Sequence, residues 1–293
     1  MQKDKHTTVL ITGSSSFLGA HTLLHLEKKC QVIGLYHTTK PTFTCSPVIQ
    51  IDLTHPDAAN ELKKTHFDWV IHLAGKIQST KSHSATEINR RMLDTILQLE
   101  KPILYASSTA VHWQQDIPYV QIRREDERRI VDSGIPYAIL RPCAPYGPRI
   151  KNYTPKHKES FQTLVDTIRH APFVPVIGNG QYKRQPIHVL DFSELIWSCI
   201  LNKETNIVFD AAGSSAHTFD DIIRLLQSGI HRHRPILHIP KQIAIFASHL
   251  LSNLEPSLVS AMDNSEIFDV SAIEDRISLR SFETGCWDLL FHT

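Results

Sequence analysis

At 293 residues with 41% hydrophobic side chains, the chain is long enough to bury one large core, or a core with a smaller lobe attached. Its 31 basic and 30 acidic residues leave a formal net charge of +1, which excludes the global field that would draw a protein to nucleic acid or to an anionic membrane. Cys30, Cys45, Cys143, Cys199 and Cys286 are scattered and form no C-x-x-C pair, which argues against a disulfide framework and a cysteine zinc site and for a reducing, cytoplasmic setting.

Only Val9, Leu10 and Ile11 separate the N-terminal lysines from a glycine turn, so no secretory signal is expected. No apolar run approaches the ~20 residues of a spanning helix. Thr8 to Thr12 reads as a buried strand, and Gly13-Ser14-Ser15-Ser16-Phe17-Leu18-Gly19 as the tight turn that opens a helix from Phe17 to Lys28. Without side chains at Gly13 and Gly19, a backbone can approach a pyrophosphate closely, and the helix N-terminus offers it free N–H groups from the Ser15 to Leu18 stretch. Gln31 to Tyr36 is the second strand. The residues after it, His37-Thr38-Thr39-Lys40, supply no carboxylate for a ribose 2′-OH, whereas His37 and Lys40 could accept a 2′-phosphate. NADP is therefore the expected cofactor, with NAD as the alternative.

Further along, strands are expected at Val48 to Ile51, Trp69 to Leu73, Ile103 to Ala106 and Tyr137 to Leu140. Helices are expected at Pro56 to Lys64, Ser84 to Leu99 and Tyr119 to Asp132, the last stopped by Ser133-Gly134-Ile135-Pro136. This alternation predicts an α/β fold with a doubly wound Rossmann parallel sheet, whose ligands lie beyond the carboxyl ends of the strands. After Arg141 the rhythm breaks at Pro142, Pro145, Pro148 and Pro155, then resumes with a helix from Lys158 to His170. A smaller C-terminal substrate-binding lobe is expected there. Ile207 to Asp210 and Phe219 to Leu226 read as one more strand and helix, the strand rejoining the main sheet. The resulting division assigns 1–150 with 185–213 to the dinucleotide half, and 151–184 with 214–293 to the lobe. Ile243 to Leu251 is read as a packed helix and not a membrane anchor. His231-Arg232-His233 with His238 lacks one-turn spacing and a neighbouring carboxylate, so no metal site is expected.

Hydride transfer to a carbonyl needs a proton donor beside the substrate oxygen, and a tyrosine fills that role when a cation stands near it. Tyr119 and Arg123 lie four apart and share a helical face, so Arg123 can supply that cation. The competing arrangement pairs Arg123 with Glu127 one turn later on an exposed, charged helix.

Thr12-Gly13-Ser14-Ser15-Ser16-Phe17-Leu18-Gly19 resembles the T-G-x-x-G-x-x-G turn of extended short-chain dehydrogenase/reductases of the NAD(P)-dependent epimerase/dehydratase type, with Ser16 in place of the middle glycine. The likeness extends through almost the whole chain. Asp52-Leu53 is similar to that family's adenine-side pair, and His72-Leu73-Ala74-Gly75 to the strand end beneath the cofactor. Ser107-Ser108-Thr109-Ala110-Val111 resembles its catalytic Ser/Thr strand, and Tyr119 to Arg123 its Y-x-x-x-K with arginine for lysine. Arg141-Pro142-Cys143-Ala144-Pro145-Tyr146-Gly147-Pro148 resembles the loop by the nicotinamide, and Gly178 to Asp191 the substrate-side segment. Phe268 to Ser271 and Arg280 to Glu283 are similar to the tail of relatives close to a respiratory-complex accessory subunit.

The resemblance implies an oxidoreductase or epimerase acting on a sugar-like, free or nucleotide-linked, hydroxyl- or carbonyl-bearing molecule. Tyr119, Ser108 and Arg123 would be catalytic. Pro142 would join the cofactor contacts, and Lys76, Thr109, Cys143, Tyr146 and Arg184 would meet substrate. The arginine and Ser16 leave open a protein that holds the dinucleotide without turnover. Relatives of this type dimerise through the helices corresponding to Ser84 to Leu99 and Tyr119 to Asp132. The second is densely charged here, so a monomer or weak homodimer is expected.

Overall fold

The computed structural model describes residues 6–76, 84–115, 117–153, 155, 159–250 and 256–291, so Lys158 and Leu251 of the expected helices fall outside the described residues. The first half runs β1 (Thr8–Thr12), α1 (Phe17–Leu26), β2 (Gln31–Tyr36), β3 (Val48–Gln50), α2 (Ala58–Leu62), β4 (Trp69–His72), α3 (Ala85–Leu97) and β5 (Ile103–Ala106). A 3-10 turn at Thr109–His112 leads to α4 (Pro118–Asp132) and β6 (Tyr137–Pro142). Then come α5 (Ser160–His170), β7 (Val174–Ile177), β8 (Lys183–Arg184), α6 (Val189–Leu201), β9 (Ile207–Ala211), β10 (His217–Thr218) and α7 (Phe219–Ile230). The chain continues through β11 (Ile236–Ile239), α8 (Lys241–Leu250), α9 (Pro256–Ala261), α10 (Ser271–Glu274) and α11 (Phe282–Phe291).

Seven strands pair in parallel in the order β3-β2-β1-β4-β5-β6-β9. Strand order reverses between β1 and β4, and a crevice for ligand opens at such a switch point. Every residue of β1 is buried, as a strand covered on both faces must be. Val9 and Ile11 turn to one face, against Leu23, Leu26, Phe192 and Leu195 of α1 and α6. Leu10 turns to the other, with Leu62, Leu93 and Ile96 of α2 and α3. A third apolar cluster joins Phe161, Val165, Ile222, Leu226, Phe282 and Leu289, from α5, α7 and α11.

Of the elements that escaped the sequence reading, α6 and β7 did so for identifiable physical reasons. Ten of the thirteen residues of α6 are buried, so the helix has no polar face to give it a readable period. Pro175 stands inside β7, where it argues against a strand, yet β7 pairs only with β11 in a two-stranded sheet and tolerates it. β9 returns to the main sheet beside β6, as expected.

Three buried histidines tie these layers together and are held neutral. Burial pushes His21 down to about 4 although its Nε2 donates to the Pro148 carbonyl at 2.9 Å. Burial, then the charge of Arg123, pushes His72 down to about 3; burial, Arg280 and His21 do the same to His188. Each folded value lies below the roughly 6.5 of a free side chain, so the unfolded chain binds more protons between the two. The stability these histidines contribute is full above about pH 6.5 and drains away as pH falls toward 3. We expect the melting temperature to drop by several degrees from pH 7 to pH 5, with a shallower drop in His21→Gln, read by differential scanning calorimetry; parallel curves would remove His21 from this account.

Candidate active site

The carboxyl end of β1 is knotted to β4 by one hydroxyl. Thr12 Oγ1 accepts the N–H groups of Leu73 and Ala74 at 3.2 and 3.1 Å, so its own proton goes to His72 Nδ1 at 2.8 Å, which suits a neutral imidazole. Gly13 follows with φ +66°, and a Cβ there would stand 2.8 Å from the Ala74 backbone. At Gly19 a Cβ would collide with the Gly13 carbonyl. These two positions need glycine so that strand, turn and helix can close together.

Ser16, the departure from the expected glycine, is the N-cap of α1: its Oγ accepts the Gly19 N–H at 3.0 Å. Ala20 N–H donates to the Ser16 carbonyl at 2.9 Å. The N–H groups of Phe17 and Leu18, first in the helix, have no intrahelical acceptor and face the crevice end of α1. Ser15 is covered by Tyr153, whose hydroxyl donates to the Ser15 carbonyl at 2.7 Å.

At the end of β2, His37 and Lys40 are exposed. His37 Nε2 lies 3.7 Å from Asp52 Oδ2, brought over from the end of β3, and the Asp52 carboxylate also accepts the N–H and hydroxyl of Thr54. A carboxylate absent from the local sequence is thus present in space, which removes the ground on which NADP was expected. Leu53 is buried and accepts the Thr95 hydroxyl through its carbonyl at 2.7 Å. Lys76 is fixed through its backbone, both its N–H and its C=O bonding the Asn89 amide at 2.8 Å.

Tyr119 and Arg123 come together on α4, the guanidinium carbon 5.3 Å from the Tyr119 ring centre. Arg123 is only 8% exposed, and the expected alternative pairing with Glu127 does not form. Glu127 instead holds Arg141, with Nη2 at 2.7 Å and Nε at 2.9 Å, and takes the Ser107 hydroxyl at 2.5 Å. Arg123 Nη1 donates to the Tyr105 hydroxyl at 2.6 Å, and that hydroxyl donates to Asp126 Oδ2 at 2.7 Å. Burial raises the Asp126 carboxyl, against the Tyr105 hydrogen bond and the Arg123 charge, which lower it. Arg123 Nη2 lies 2.6 Å from the position of a Gly75 Cβ, so a side chain there would make the guanidinium shift. Its Nε is buried and unpaired among the described residues. An orphaned donor in this place, with a turn stripped of side chains beside it, fits a polyhydroxylated dinucleotide.

On the other side of Tyr119, Ser108 caps the 3-10 turn by accepting the Ala110 N–H at 3.2 Å and keeps its hydroxyl proton for another acceptor. Thr109, Cys143 and Arg184, each expected to meet substrate, come together around a carboxylate that the sequence reading missed, Glu266. Burial pushes the Cys143 thiol up to about 12, so it is no nucleophile at neutral pH. Tyr146 does not line the crevice: at 1% exposure it is packed among Phe161, His188 and Phe282, which corrects its expected contact with substrate. Pro142 is buried at the end of β6, and Cys143 N–H bonds the Ala211 carbonyl of β9 at 2.9 Å. No group of three or more possible metal ligands occurs among the described residues, and no described helix is long and apolar enough to cross a membrane.

Residues 9–128 and 127–212 match the model of the NAD dependent epimerase/dehydratase family. Among curated proteins, the chain is similar to the mitochondrial NADH dehydrogenase [ubiquinone] 1 alpha subcomplex subunit 9 of Dictyostelium discoideum, 25% identical over 194 residues. That stretch is 64% of this chain and 52% of the relative, so the match spans about half the relative's length. Among solved structures, UDP-glucose 4-epimerase of Thermotoga maritima with UDP-glucose superposes with a TM-score of 0.77 at 15% identity, covering 98% of each chain. UDP-glucuronic acid 4-epimerase of Bacillus cereus, with UDP-glucuronic acid and NAD, gives 0.76 at 17% identity, again over 98% of each chain. At these identities the likeness is one of fold.

Replacing Arg123 by methionine leaves Asp126 buried without its cation. We expect a loss of about 2–3 kcal/mol, at the low end for a broken buried pair because Asp126 can take up a proton. Urea unfolding of Arg123→Met measures it, and Arg123→Lys, which keeps a charge, should lose less; an unchanged midpoint in the methionine variant would mean the guanidinium is not held by Asp126 through Tyr105.

Proposed function

Because the chain belongs to the NAD dependent epimerase/dehydratase family, we propose that it binds a nicotinamide dinucleotide and works as an oxidoreductase or epimerase on a small hydroxyl- or carbonyl-bearing molecule. One observation carries this reading: Tyr119 and the buried charge of Arg123 meet beside Gly75, where β4 and β5 end. The dinucleotide, when bound, gives or accepts the hydride.

The chain's own groups do the rest. The N–H groups of Phe17 and Leu18, at the positive end of α1, take the pyrophosphate. Arg123 Nε, unpaired among the described residues, would bond the ribose beside the nicotinamide. Tyr119 holds the proton that moves to or from the substrate oxygen, and the Ser108 hydroxyl donates to that same oxygen. Arginine keeps its charge throughout and passes on no proton, so it serves as a fixed cation and the proton of Tyr119 exchanges with water.

For the cofactor we favour NAD over NADP. Asp52 stands 3.7 Å from His37, so a 2′-phosphate would meet a carboxylate there, and the B. cereus epimerase of the same fold holds NAD. The free thiols suit a reducing compartment, and we place the protein in the cytoplasm. We keep it a monomer because charges on α3 and α4 pair within the chain, Arg90 with Glu125 at 2.9 Å and Arg129 with Asp94.

A second reading, a protein that holds the dinucleotide without turnover, is favoured by the packing of Trp113 and Tyr119 against the cluster that contains Ala261, which narrows the way to the tyrosine.

Two measurements separate these. A ligand that binds only the folded state raises its melting temperature, so NADH should raise it more than NADPH; a larger shift with NADPH would overturn the cofactor choice. Single-turnover hydride transfer from deuterium-labelled NADH across a carbonyl panel should fall by about a hundredfold or more in Tyr119→Phe, the scale of general acid catalysis. Equal rates in variant and wild type would remove Tyr119 from the mechanism. Binding without transfer to any carbonyl would favour the second reading.

A further inference from the structure

Thr109, Trp113 and Arg184 lie far apart in the chain, yet all three point their donors at one carboxylate. Thr109 Oγ1 donates to Glu266 Oε1 at 2.8 Å, Trp113 Nε1 donates to the same oxygen at 3.2 Å, and Arg184 Nη1 lies 3.2 Å from Oε2. Glu266 is only 7% exposed. Its backbone is fixed against β8: Glu266 N–H donates to the Lys183 carbonyl at 2.8 Å, Lys183 N–H to Ser265 Oγ at 3.0 Å, and Phe268 N–H to Gln185 Oε1 at 2.8 Å. The remaining reach of the guanidinium is taken by the carbonyls of Asn264 and, at 2.7 Å, Met262.

Thr109 adjoins Ser108 in the chain, and Trp113 packs with Tyr119 in the cluster that contains Ala261, so the Glu266 cluster borders the groups assigned to the proposed activity. Arg184 is the cation of this cluster, and its charge is already cancelled by a residue of the chain. A phosphate brought to Arg184 would have to expel the Glu266 carboxylate from three donors or lie beside it. Two like charges about 4 Å apart at protein-like screening repel strongly enough to weaken binding by a factor on the order of a hundred to a thousand.

We propose that Glu266 is a specificity-determining residue: its carboxylate fills the anion subsite from within, so the substrate is uncharged where it meets Thr109 and Arg184, a neutral carbonyl or polyol compound and not a nucleotide-diphospho sugar. This rests on the proposed dinucleotide-dependent activity and names the substrate class for that site. The solved structures of the same fold with UDP-sugars mark the alternative that Glu266 rules out here.

The test is calorimetric titration of the full chain, saturated with NADH, with UDP as the probe. Wild type is expected to show no binding up to millimolar UDP. Glu266→Gln keeps the hydrogen-bonding shape but uncovers the Arg184 charge; it should bind UDP at least tenfold more tightly than wild type, and Glu266→Gln/Arg184→Gln should lose that gain. Micromolar UDP binding by wild type overturns the proposal, as does a Glu266→Gln protein that keeps the wild-type thermal shift with NADH yet gains no affinity. If Glu266→Gln does not fold, the wild-type titration alone decides. Absence of any NADH shift in wild type would instead count against the dinucleotide reading, so the two failures are told apart.

Discussion

A guanidinium taken out of water needs an acceptor and a countercharge, and the carboxyl end of this sheet is arranged around meeting that need at Arg123. The countercharge comes from Asp126, three residues along the same helix, with the Tyr105 hydroxyl of β5 standing between the two. This fixes the rotation of α4 on the sheet, and with it the position of Tyr119. The space for the guanidinium comes from Gly75, and the nearby charge helps keep His72 neutral, so that His72 accepts the Thr12 proton. Thr12 in turn holds Leu73 and Ala74 against the Gly13 turn. Tyr119 and the glycine turn are therefore parts of one assembly, although no residue belongs to both.

How much of this could be read from the sequence follows from how local each interaction is. β1, the turn and α1 were legible because a strand, two glycines and a helix start within twelve residues carry the whole argument. The Tyr119 and Arg123 pairing was legible for the same reason, as a one-turn spacing. What Arg123 does with its charge was not, because its partner Tyr105 lies 18 residues away on another element. Glu127 was the nearer candidate in sequence, but in space it faces Arg141. The NADP expectation rested in a like manner on the residues after β2, whereas Asp52 arrives beside His37 from the adjacent strand. Glu266 is the extreme case, 157 residues from Thr109. Nothing in the local sequence distinguished it from its acidic neighbours Asp263 and Asp269.

Ser16 shows that a departure from a motif can be structurally complete. A glycine there would leave the Gly19 N–H to solvent or ligand, whereas serine caps it and still leaves two N–H groups at the head of the helix. Arginine for lysine is a different kind of change, since the planar, permanently charged group reaches Tyr105 and is locked there.

The two sides of the crevice are accordingly made by opposite means. At the ends of β1 and β4, side chains are removed: Gly13 and Gly19 let strand, turn and helix close together, Gly75 makes room for Arg123, and one guanidinium nitrogen stays unsatisfied among the described residues. On the substrate side, side chains are added, and Thr109, Trp113 and Arg184 are satisfied by Glu266 before any ligand arrives. A site that leaves its donors open gains binding energy from whatever supplies acceptors, while a site that satisfies its own donors selects by shape and by the cost of displacing what is already there.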